Sequence, residues 1–270
     1  MSFSVLLSVY FKEEPHFLHE SLTSIYDAQS LKPSEIILVQ DGPLTHELET
    51  VIELWKQKLG DILIVLKLDN NKGLAYALNF GLQYCTNELV ARMDTDDISL
   101  PDRFEHQVRF MSANSNMCAS SGRIIEYDHA LSEVLGTRRL PLTNKDLIKF
   151  CRYRSPLSHP AVMFRKSKVI SVGGYPLFAN SQDWALWSLL LSQGETIGNL
   201  DKTLLHMRTD NSLFERRGAR YYLNELKIFK YQRTIGLSNR RAFFFNVVSK
   251  AFLRLSPNTL KRVAYKRLRK

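Results

Sequence analysis

The sequence contains few cysteines and no long apolar segment. Only three of its 270 residues are cysteines, and Cys85, Cys118 and Cys151 lack the spacing of a metal site or a disulfide framework. A sparse, odd number of cysteines is typical of a reducing compartment. No apolar run approaches the ~18 residues of a membrane-spanning helix, and no basic region with a cleavage site begins the chain. We therefore expect a cytoplasmic protein without a signal peptide.

Acidic residues are absent from the C-terminal part of the chain. After Glu225 there is no Asp or Glu, whereas residues 226–270 hold 13 Lys and Arg. The remaining residues carry 24 basic and 27 acidic groups, so the net charge of +10 arises in this C-terminal part. A basic amphipathic helix is typical of a membrane surface, and we expect residues 257–270 to bind anionic lipid. A solvated helix packed on the domain is the alternative.

Nucleic acid is not an expected partner. The sequence has no zinc-finger spacing and no ribonucleoprotein-type aromatic motif. The body of the chain, residues 1–225, is also slightly acidic, and a nucleic-acid backbone would repel it.

Apolar segments alternate with amphipathic ones in the first hundred residues. This pattern predicts a parallel α/β sheet whose ligands bind at the carboxyl ends of the strands. Ser8, Asp41 and the acids at 94–97 lie at such ends, and Lys72 lies just beyond another. We therefore expect these residues to converge in one crevice. The predicted strands are residues 5–9, 36–39, 62–66 and a short segment at 89–90.

The second half of the chain is less regular. Beyond residue 219 it is helical and basic, so we predict a domain over residues 1–219 and a helical segment over 220–270. Strands are predicted at residues 120–127, 161–164 and 203–207, and helices at 145–150 and 184–192.

Three carboxylates, those of Asp94, Asp96 and Asp97, follow the fourth strand. Crowded carboxylates repel one another, and a cation or several hydrogen-bond donors relieve the repulsion. Oxygen ligands suit hard ions such as Mg²⁺ or Mn²⁺, which leave positions open for phosphate oxygens. A solvated acidic turn before the helix predicted to begin near Pro101 would explain an isolated Asp-x-Asp equally well.

A series of short motifs occurs in order over residues 3–220. In this order and spacing they resemble family 2 glycosyltransferases, inverting enzymes with the GT-A fold, and especially the bacterial members that build O-antigen and capsular polysaccharide. The motifs are Ser8-Val9-Tyr10, Gln40-Asp41-Gly42, Asn71-Lys72-Gly73-Leu74-Ala75, Ala91-Arg92-Met93-Asp94-Thr95-Asp96-Asp97, Pro101-Asp102-Arg103, Ser158-His159-Pro160-Ala161-Val162-Met163-Phe164-Arg165, Gly173-Gly174-Tyr175 and Gln182-Asp183-Trp184.

The resemblance implies a site for a UDP-sugar. Asp41 would hydrogen-bond the uracil edge, Ser8 and Tyr10 would contact and stack on uracil, and Lys72 would lie near the nucleotide. Each residue also has an ordinary explanation. Asp41 suits an Asp-Gly-Pro turn, Ser8 and Tyr10 are strand-end residues, and Lys72 suits a solvated loop.

The resemblance also implies a metal site. Asp94 would reach the ribose and Asp96 would hold Mn²⁺ or Mg²⁺ on the diphosphate, with Asp97 as the alternative ligand. The ion would stabilise the charge of the leaving nucleotide. Many relatives supply a histidine ligand after the last strand, but residues 206–211 depart from that pattern. The candidates for the third ligand are Asp210, Asn211, His206 and water.

Asp183 resembles the catalytic base of the family. An inverting transfer needs a carboxylate that accepts the proton of the acceptor hydroxyl while its oxygen attacks the anomeric carbon from behind. Gln182 replaces the usual Glu, which removes one cause of a raised pKa at Asp183. An N-cap of the following helix is the alternative role. The residues we assign to acceptor binding are His159, Trp184, Arg216 and Arg217, although Trp184 would also suit the core and the arginines a basic helix start.

The sequence therefore predicts a metal-dependent enzyme, peripheral on the inner face of the cytoplasmic membrane. It would transfer galactose or glucose from a UDP-sugar to a lipid-diphosphate-linked saccharide in bacterial surface polysaccharide assembly. A sugar-phosphate nucleotidyltransferase is one alternative, but it needs an N-terminal Gly-rich triphosphate loop, and residues 8–15 contain no glycine. A saccharide-binding module without catalysis is another, indicated only by Gln182.

Overall fold

The computed structural model describes residues 1–209 and 219–255, with side chains at 1–209 and 221–254. Some residues with predicted functions lie outside this part of the chain. They are Asp210, Asn211, Arg216, Arg217 and the basic segment 257–270.

The described residues form one mixed sheet with helices on both faces. The spatial order of its strands is β3-β2-β1-β4-β8-β6-β9-β5, with β7 paired to β6. The strands are β1 (Ser4–Val9), β2 (Glu35–Gln40), β3 (Leu63–Lys67), β4 (Leu89–Arg92), β5 (Ile98–Ser99), β6 (Met117–Tyr127), β7 (Val134–Arg138), β8 (Met163–Arg165) and β9 (Thr196–Arg208).

The helices alternate with the strands in the first half and follow one another at the C-terminal end. They are α1 (Pro15–Ile25), α2 (His46–Leu59), α3 (Leu74–Tyr84), α4 (Arg103–Ala113), α5 (Asn144–Cys151), α6 (Lys166–Ser171), α7 (Gln182–Ser192), α8 (Ala219–Thr234) and α9 (Arg240–Leu255). Single 3-10 turns occur at Gly60–Ile62 and His159–Ala161.

The buried strand β1 shows why the sheet needs helices on both sides. Leu6 belongs to the apolar cluster beneath α3 and α7, whereas Val5 and Leu7 belong to the opposite cluster beneath α1, α2 and α4. Successive side chains of a strand point to opposite faces, and full burial of each such side chain contributes about 1.5–3 kcal/mol. Gly81 lets α3 lie close to the sheet, because a Cβ there would be 2.6 Å from Leu6 Cδ1.

The parallel core places three strand ends at one edge. Strand β1 pairs in parallel with β2 and with β4, and β2 pairs in parallel with β3. The antiparallel strand β8 then joins β4 to β6. The residues that follow β1, β2 and β4 therefore meet at the same edge, as the alternating pattern predicted.

Several predicted boundaries differ from the structure. The segment predicted as a strand at 161–164 begins as the 3-10 turn His159–Ala161, and the strand itself is Met163–Arg165. The segment at 203–207 is the end of the longer strand β9. The short strands β5 and β7 were not predicted.

The two C-terminal helices pack on each other and on the domain. The Nε2 group of Gln232 in α8 donates a hydrogen bond of 2.7 Å to the carbonyl of Cys151 at the end of α5. In α9, Nδ2 of Asn246 donates a 2.7 Å bond to the carbonyl of Arg152. Among the described helices, none is long and apolar enough to cross a bilayer.

Candidate active site

A cavity of about 360 Å³ opens at the carboxyl ends of β1, β2 and β4. It brings together most of the residues that the sequence assigned to donor binding. Lys72 is the exception, because its side chain is exposed and its Nζ lies 4.6 Å from the ring centre of Tyr76. The lining residues are Ser8, Tyr10, Glu13, Asp41, Asn71, Gly73, Leu74, Asp94, Thr95 and Asp96.

Asp41 connects the end of β2 to the loop before α3. Its two carboxylate oxygens accept hydrogen bonds from the backbone N–H groups of Lys72 and Gly73, at 2.7 and 2.9 Å. Gly42 makes this close approach possible, because its φ is +90° and a Cβ there would be 2.6 Å from the nitrogen of Asn71. A carboxylate oxygen accepts more than one hydrogen bond, so Asp41 can hold this loop and also accept a donor from a nucleotide base.

The three aspartates after β4 form a cluster. Their carboxylate oxygens lie within 4.8 Å of one another. Asp94 forms an ion pair with Arg92. Asp97 accepts a 2.9 Å hydrogen bond from the backbone N–H of Arg208 through Oδ1, whereas its Oδ2 is buried and has no hydrogen-bond partner among the described residues.

Burial and mutual repulsion both act on these acids. Burial and the charge of Asp94 raise the pKa of Asp96 to about 6. Burial and the charges of Asp96 and Asp94 raise the pKa of Asp97 well above its usual range. A buried carboxylate oxygen without a donor, beside two further carboxylates, fits a hard divalent cation. His206 lies outside this cluster, since its ring packs against Tyr127 at a centroid distance of 4.8 Å.

Glu13 is a site residue that the sequence analysis missed. It lines the cavity at the carboxyl ends of β1, β2 and β4, called the donor cavity below, together with Asp94 and Asp96. Burial and the negative charges of Asp96 and Asp94 raise its pKa to about 7. In the sequence Glu13 stands in a polar run before α1, which is typical of a solvated helix start. In the sequence, the one hint that Glu13 belongs to this cavity is its position three residues after Tyr10.

Asp183 lies in a second cavity, of about 250 Å³. It is the second residue of α7, and Ser181 occupies the N-cap position with a φ of 64°, so Asp183 is not the N-cap. Its Oδ2 accepts a 2.8 Å hydrogen bond from Oγ of Ser155. Burial raises the pKa of Asp183, while the Ser155 hydrogen bond opposes that increase. Desolvation thus raises this pKa although Gln182 brings no second carboxylate.

His159 and Trp184 also line this second cavity. Nε2 of His159 lies 3.1 Å from the hydroxyl of Tyr175, and burial holds its pKa well below the usual value. The imidazole is therefore neutral at pH 7. Trp184 is almost fully buried, its indole N–H donates a 2.6 Å bond to the carbonyl of Cys151, and its ring packs against Phe229. These contacts are those of a core tryptophan with one edge at the cavity.

Arg92 links the two cavities electrostatically. Its side chain is 2% exposed and pairs with Asp94 in the donor cavity. Its positive charge also lowers the pKa of Asp183 and that of His159 in the second cavity. A single buried guanidinium therefore acts on the acids of both cavities, and the backbone N–H of Arg92 donates a 2.8 Å hydrogen bond to the carbonyl of Val162, three residues after His159 of the second cavity.

The fold is that of a known class of enzymes. The mannosyltransferase PcManGT from Pyrobaculum calidifontis, solved in complex with GDP-Man and Mn²⁺, matches with a TM-score of 0.67 and 17% sequence identity. The match covers 93% of this chain and 69% of that one. At this identity the likeness shows the fold alone, and it confirms the predicted GT-A architecture.

Sequence comparison then identifies the family. The model of glycosyl transferase family 2 matches residues 4–174. The chain is 37% identical over 271 residues to the amylovoran biosynthesis glycosyltransferase AmsE of Erwinia amylovora, covering 99% of each. It is 34% identical over 267 residues to the UDP-Gal:alpha-D-GlcNAc-diphosphoundecaprenol beta-1,3-galactosyltransferase of Escherichia coli, covering 98% of this chain and 96% of that one. The protein belongs to glycosyltransferase family 2, as its motifs indicated.

Proposed function

We propose that this glycosyltransferase transfers a hexose, galactose in the first instance, from a UDP-sugar to a lipid-diphosphate-linked saccharide. The reaction would serve the assembly of a bacterial surface polysaccharide. The Escherichia coli relative named above uses a donor and an acceptor of these kinds, and AmsE belongs to amylovoran biosynthesis. Neither the donor sugar nor the linkage follows from the residues themselves, so galactose rests on that relative.

One observation carries the proposal. A carboxylate with a raised pKa, that of Asp183, lies in a cavity beside the one that holds the aspartate cluster. An inverting transfer needs a base on the acceptor side of the anomeric carbon and charge stabilisation on the leaving-group side. The two cavities supply these functions separately, since Asp183 lines one and Asp94 and Asp96 line the other.

The proposed roles of the residues follow from the cavity that each of them lines. Asp183 would accept the proton of the acceptor hydroxyl at its carboxylate, which hydrogen bonds from the Ser155 hydroxyl and the backbone N–H of Trp184 hold in place. Asp41 and Ser8 would hold the uracil, with Tyr10 stacked on it, and Asp94 would reach the ribose. A divalent ion, Mn²⁺ or Mg²⁺, held by Asp96 and Asp97 would neutralise the charge that develops on the nucleoside diphosphate.

We further propose that the enzyme works at the inner face of the cytoplasmic membrane, where a lipid-linked acceptor would be found. The basic segment 257–270 holds six Lys and Arg and no acid. Each such residue near an anionic leaflet contributes about 1 kcal/mol of attraction. This part of the proposal rests on the sequence, since that segment is outside the described residues.

A donor and acceptor screen tests the proposed function. Release of the nucleoside diphosphate is measured with UDP-galactose, UDP-glucose, UDP-N-acetylglucosamine and GDP-mannose, as UDP for the first three donors and GDP for the last. Each donor is supplied with a synthetic N-acetylglucosaminyl diphosphate lipid, and the product linkage is read by NMR. We expect the fastest release with UDP-galactose and a product of inverted configuration. Preference for GDP-mannose, or a product of retained configuration, would refute the proposal.

A further inference from the structure

The lining of the second cavity holds the proposed base and a wall of cationic side chains. Its lining includes four cationic side chains against two carboxylates, those of Asp183 and Glu225. The cations come from separate parts of the chain: Arg138 from β7, Arg154 from the segment after α5, and Lys250 and Arg254 from α9. The helical C-terminal segment therefore contributes part of the cavity that holds Asp183.

Glu225 and Arg254 compensate each other within this wall. Nε and one terminal nitrogen of Arg254 each donate a 2.9 Å hydrogen bond to the Glu225 carboxylate. Such a bidentate pair fixes the geometry of both groups. Lys250 is a further donor to the same carboxylate, at 3.0 Å. Glu225 thus has two cations around one negative charge.

Lys250 lies among like charges. Its side chain is 13% exposed, and burial together with the charges of Arg254 and Arg154 lowers its pKa. Arg138, another residue of the lining, pairs with Glu126 at 2.6 Å. Positive groups held close together in a half-enclosed cavity repel one another, and a bound anion removes that repulsion.

The positions of these cations are set by contacts with the catalytic domain. Asn246, one turn before Lys250, bonds the carbonyl of Arg152, and Nε of Arg152 donates a 3.1 Å bond to the carbonyl of Leu237. The backbone N–H of Arg154 donates a 3.0 Å bond to the carbonyl of Phe150. Arg154 precedes Ser155, the partner of Asp183. These contacts therefore fix the positions of the cations relative to Asp183.

We propose that Lys250 and Arg154 bind the diphosphate of the acceptor while Asp183 receives its sugar hydroxyl. The inference rests on the proposed function and adds to it the site of acceptor recognition. A sugar diphosphate carries its anionic group one sugar ring away from the attacking hydroxyl. The cavity offers a carboxylate base and a cationic wall within about 250 Å³. Arginine and lysine are the side chains that bind phosphate oxygens.

The exposed surface of α9 suits the lipid part of such an acceptor. Phe244, Phe245, Val248 and Phe252 are 62%, 63%, 66% and 76% exposed. Large apolar side chains in such a row mark an interaction surface when they are contiguous. Helix α9 thus offers cations to the cavity and aromatic side chains to the outside, as a molecule with an anionic head and an isoprenoid chain requires.

The experiment compares two acceptors that differ in the diphosphate alone. One is a short-chain N-acetylglucosaminyl diphosphate lipid, and the other is an uncharged alkyl glycoside of the same sugar. The readout is the ratio of kcat/KM for the first acceptor to kcat/KM for the second, measured for the parent, Lys250→Gln, Arg154→Gln and Lys250→Arg. Lys227→Gln on the exposed surface of α8 is the matched control.

We expect both glutamine variants to reduce this ratio by about 10-fold or more, since each loses a hydrogen bond between charged groups. Lys250→Arg should recover part of the ratio, and Lys227→Gln should leave it at the parental value. If kcat/KM falls equally for both acceptors in both glutamine variants, the residues have only a structural role and the inference is wrong. If the parent itself shows no preference for the diphosphate acceptor, the proposed function fails and the inference with it.

Discussion

Replacing Ser155 with alanine should change the pH dependence of the reaction. The Ser155 hydroxyl donates a 2.8 Å hydrogen bond to the carboxylate of Asp183. Burial raises the pKa of that carboxyl, and this hydrogen bond lowers it because it favours the charged form. Without the hydroxyl, burial acts against one hydrogen bond fewer, so the pKa rises further. A base works only when unprotonated, so the acid limb of kcat/KM should move to higher pH.

The size of the effect follows from the hydrogen bond. A hydrogen bond to a charged group contributes about 1.5–3 kcal/mol, and 1.4 kcal/mol corresponds to about a factor of ten. Well below the acid limb, Ser155→Ala should therefore have about one-tenth of the parental kcat/KM or less. Water entering the space of the lost hydroxyl would reduce the difference. Well above the limb both proteins hold a charged Asp183, and their activities should converge.

The assay is UDP release at saturating donor, between about pH 5 and pH 9. Ser171→Ala is the control, because the Ser171 hydroxyl bonds only the carbonyl of Lys168 on the exposed surface of α6. A parallel fall in activity at every pH would mean that Ser155 merely shapes the cavity. An unshifted acid limb would show that Asp183 is not the group that titrates in the free enzyme, and the reasoning about the base would be refuted.

Three further perturbations give separate expectations. Asp96→Ala should abolish the Mn²⁺ dependence of UDP binding measured by calorimetry, since a carboxylate ligand is lost. Unchanged UDP affinity would move the ligand assignment to Asp97 or exclude the metal site. Gly42→Ala should lower the free energy of unfolding in urea by about 1–3 kcal/mol, because its φ is +90° and the new Cβ would meet the backbone of Asn71; wild-type stability would show that the loop before α3 relaxes freely. Deleting residues 257–270 should release the protein from anionic vesicles in a flotation assay. Salt should weaken vesicle binding of the full chain, because exposed charges are screened over ~10 Å at 0.1 M. Equal flotation of the truncated protein would contradict the membrane role.

The donor cavity could be predicted from sequence because its geometry follows from topology. Ser8, Asp41 and Asp94 lie far apart in the chain, but each lies at or just beyond the carboxyl end of a buried parallel strand. Parallel strands end at one edge of the sheet, so their terminal residues must meet. Short apolar runs bounded by turn residues were sufficient to locate those strands. The two-residue strand β5 has no periodicity of its own and could not be found this way.

The second cavity, which holds Asp183, could not be predicted in the same way. Lys250 and Arg154 are separated by almost a hundred residues, and the helix pair α8 and α9 brings them together. In the sequence each is an ordinary basic residue on a solvated face. The raised pKa of Glu13 likewise depends on Asp94 and Asp96, which approach it only in the folded chain. Tertiary contacts decide which charged side chains come together, and the local sequence pattern around each residue does not predict them.

Asp183→Asn tests the central claim most directly, because it removes the proposed base while keeping its shape. The measurement pairs the rate of hexose transfer with calorimetric binding of UDP in the presence of Mn²⁺, and Asp201→Asn, an exposed substitution in β9, is the control. The account predicts near-parental UDP affinity and a turnover lower by about 100-fold or more. Turnover within a few-fold of the parent would contradict it.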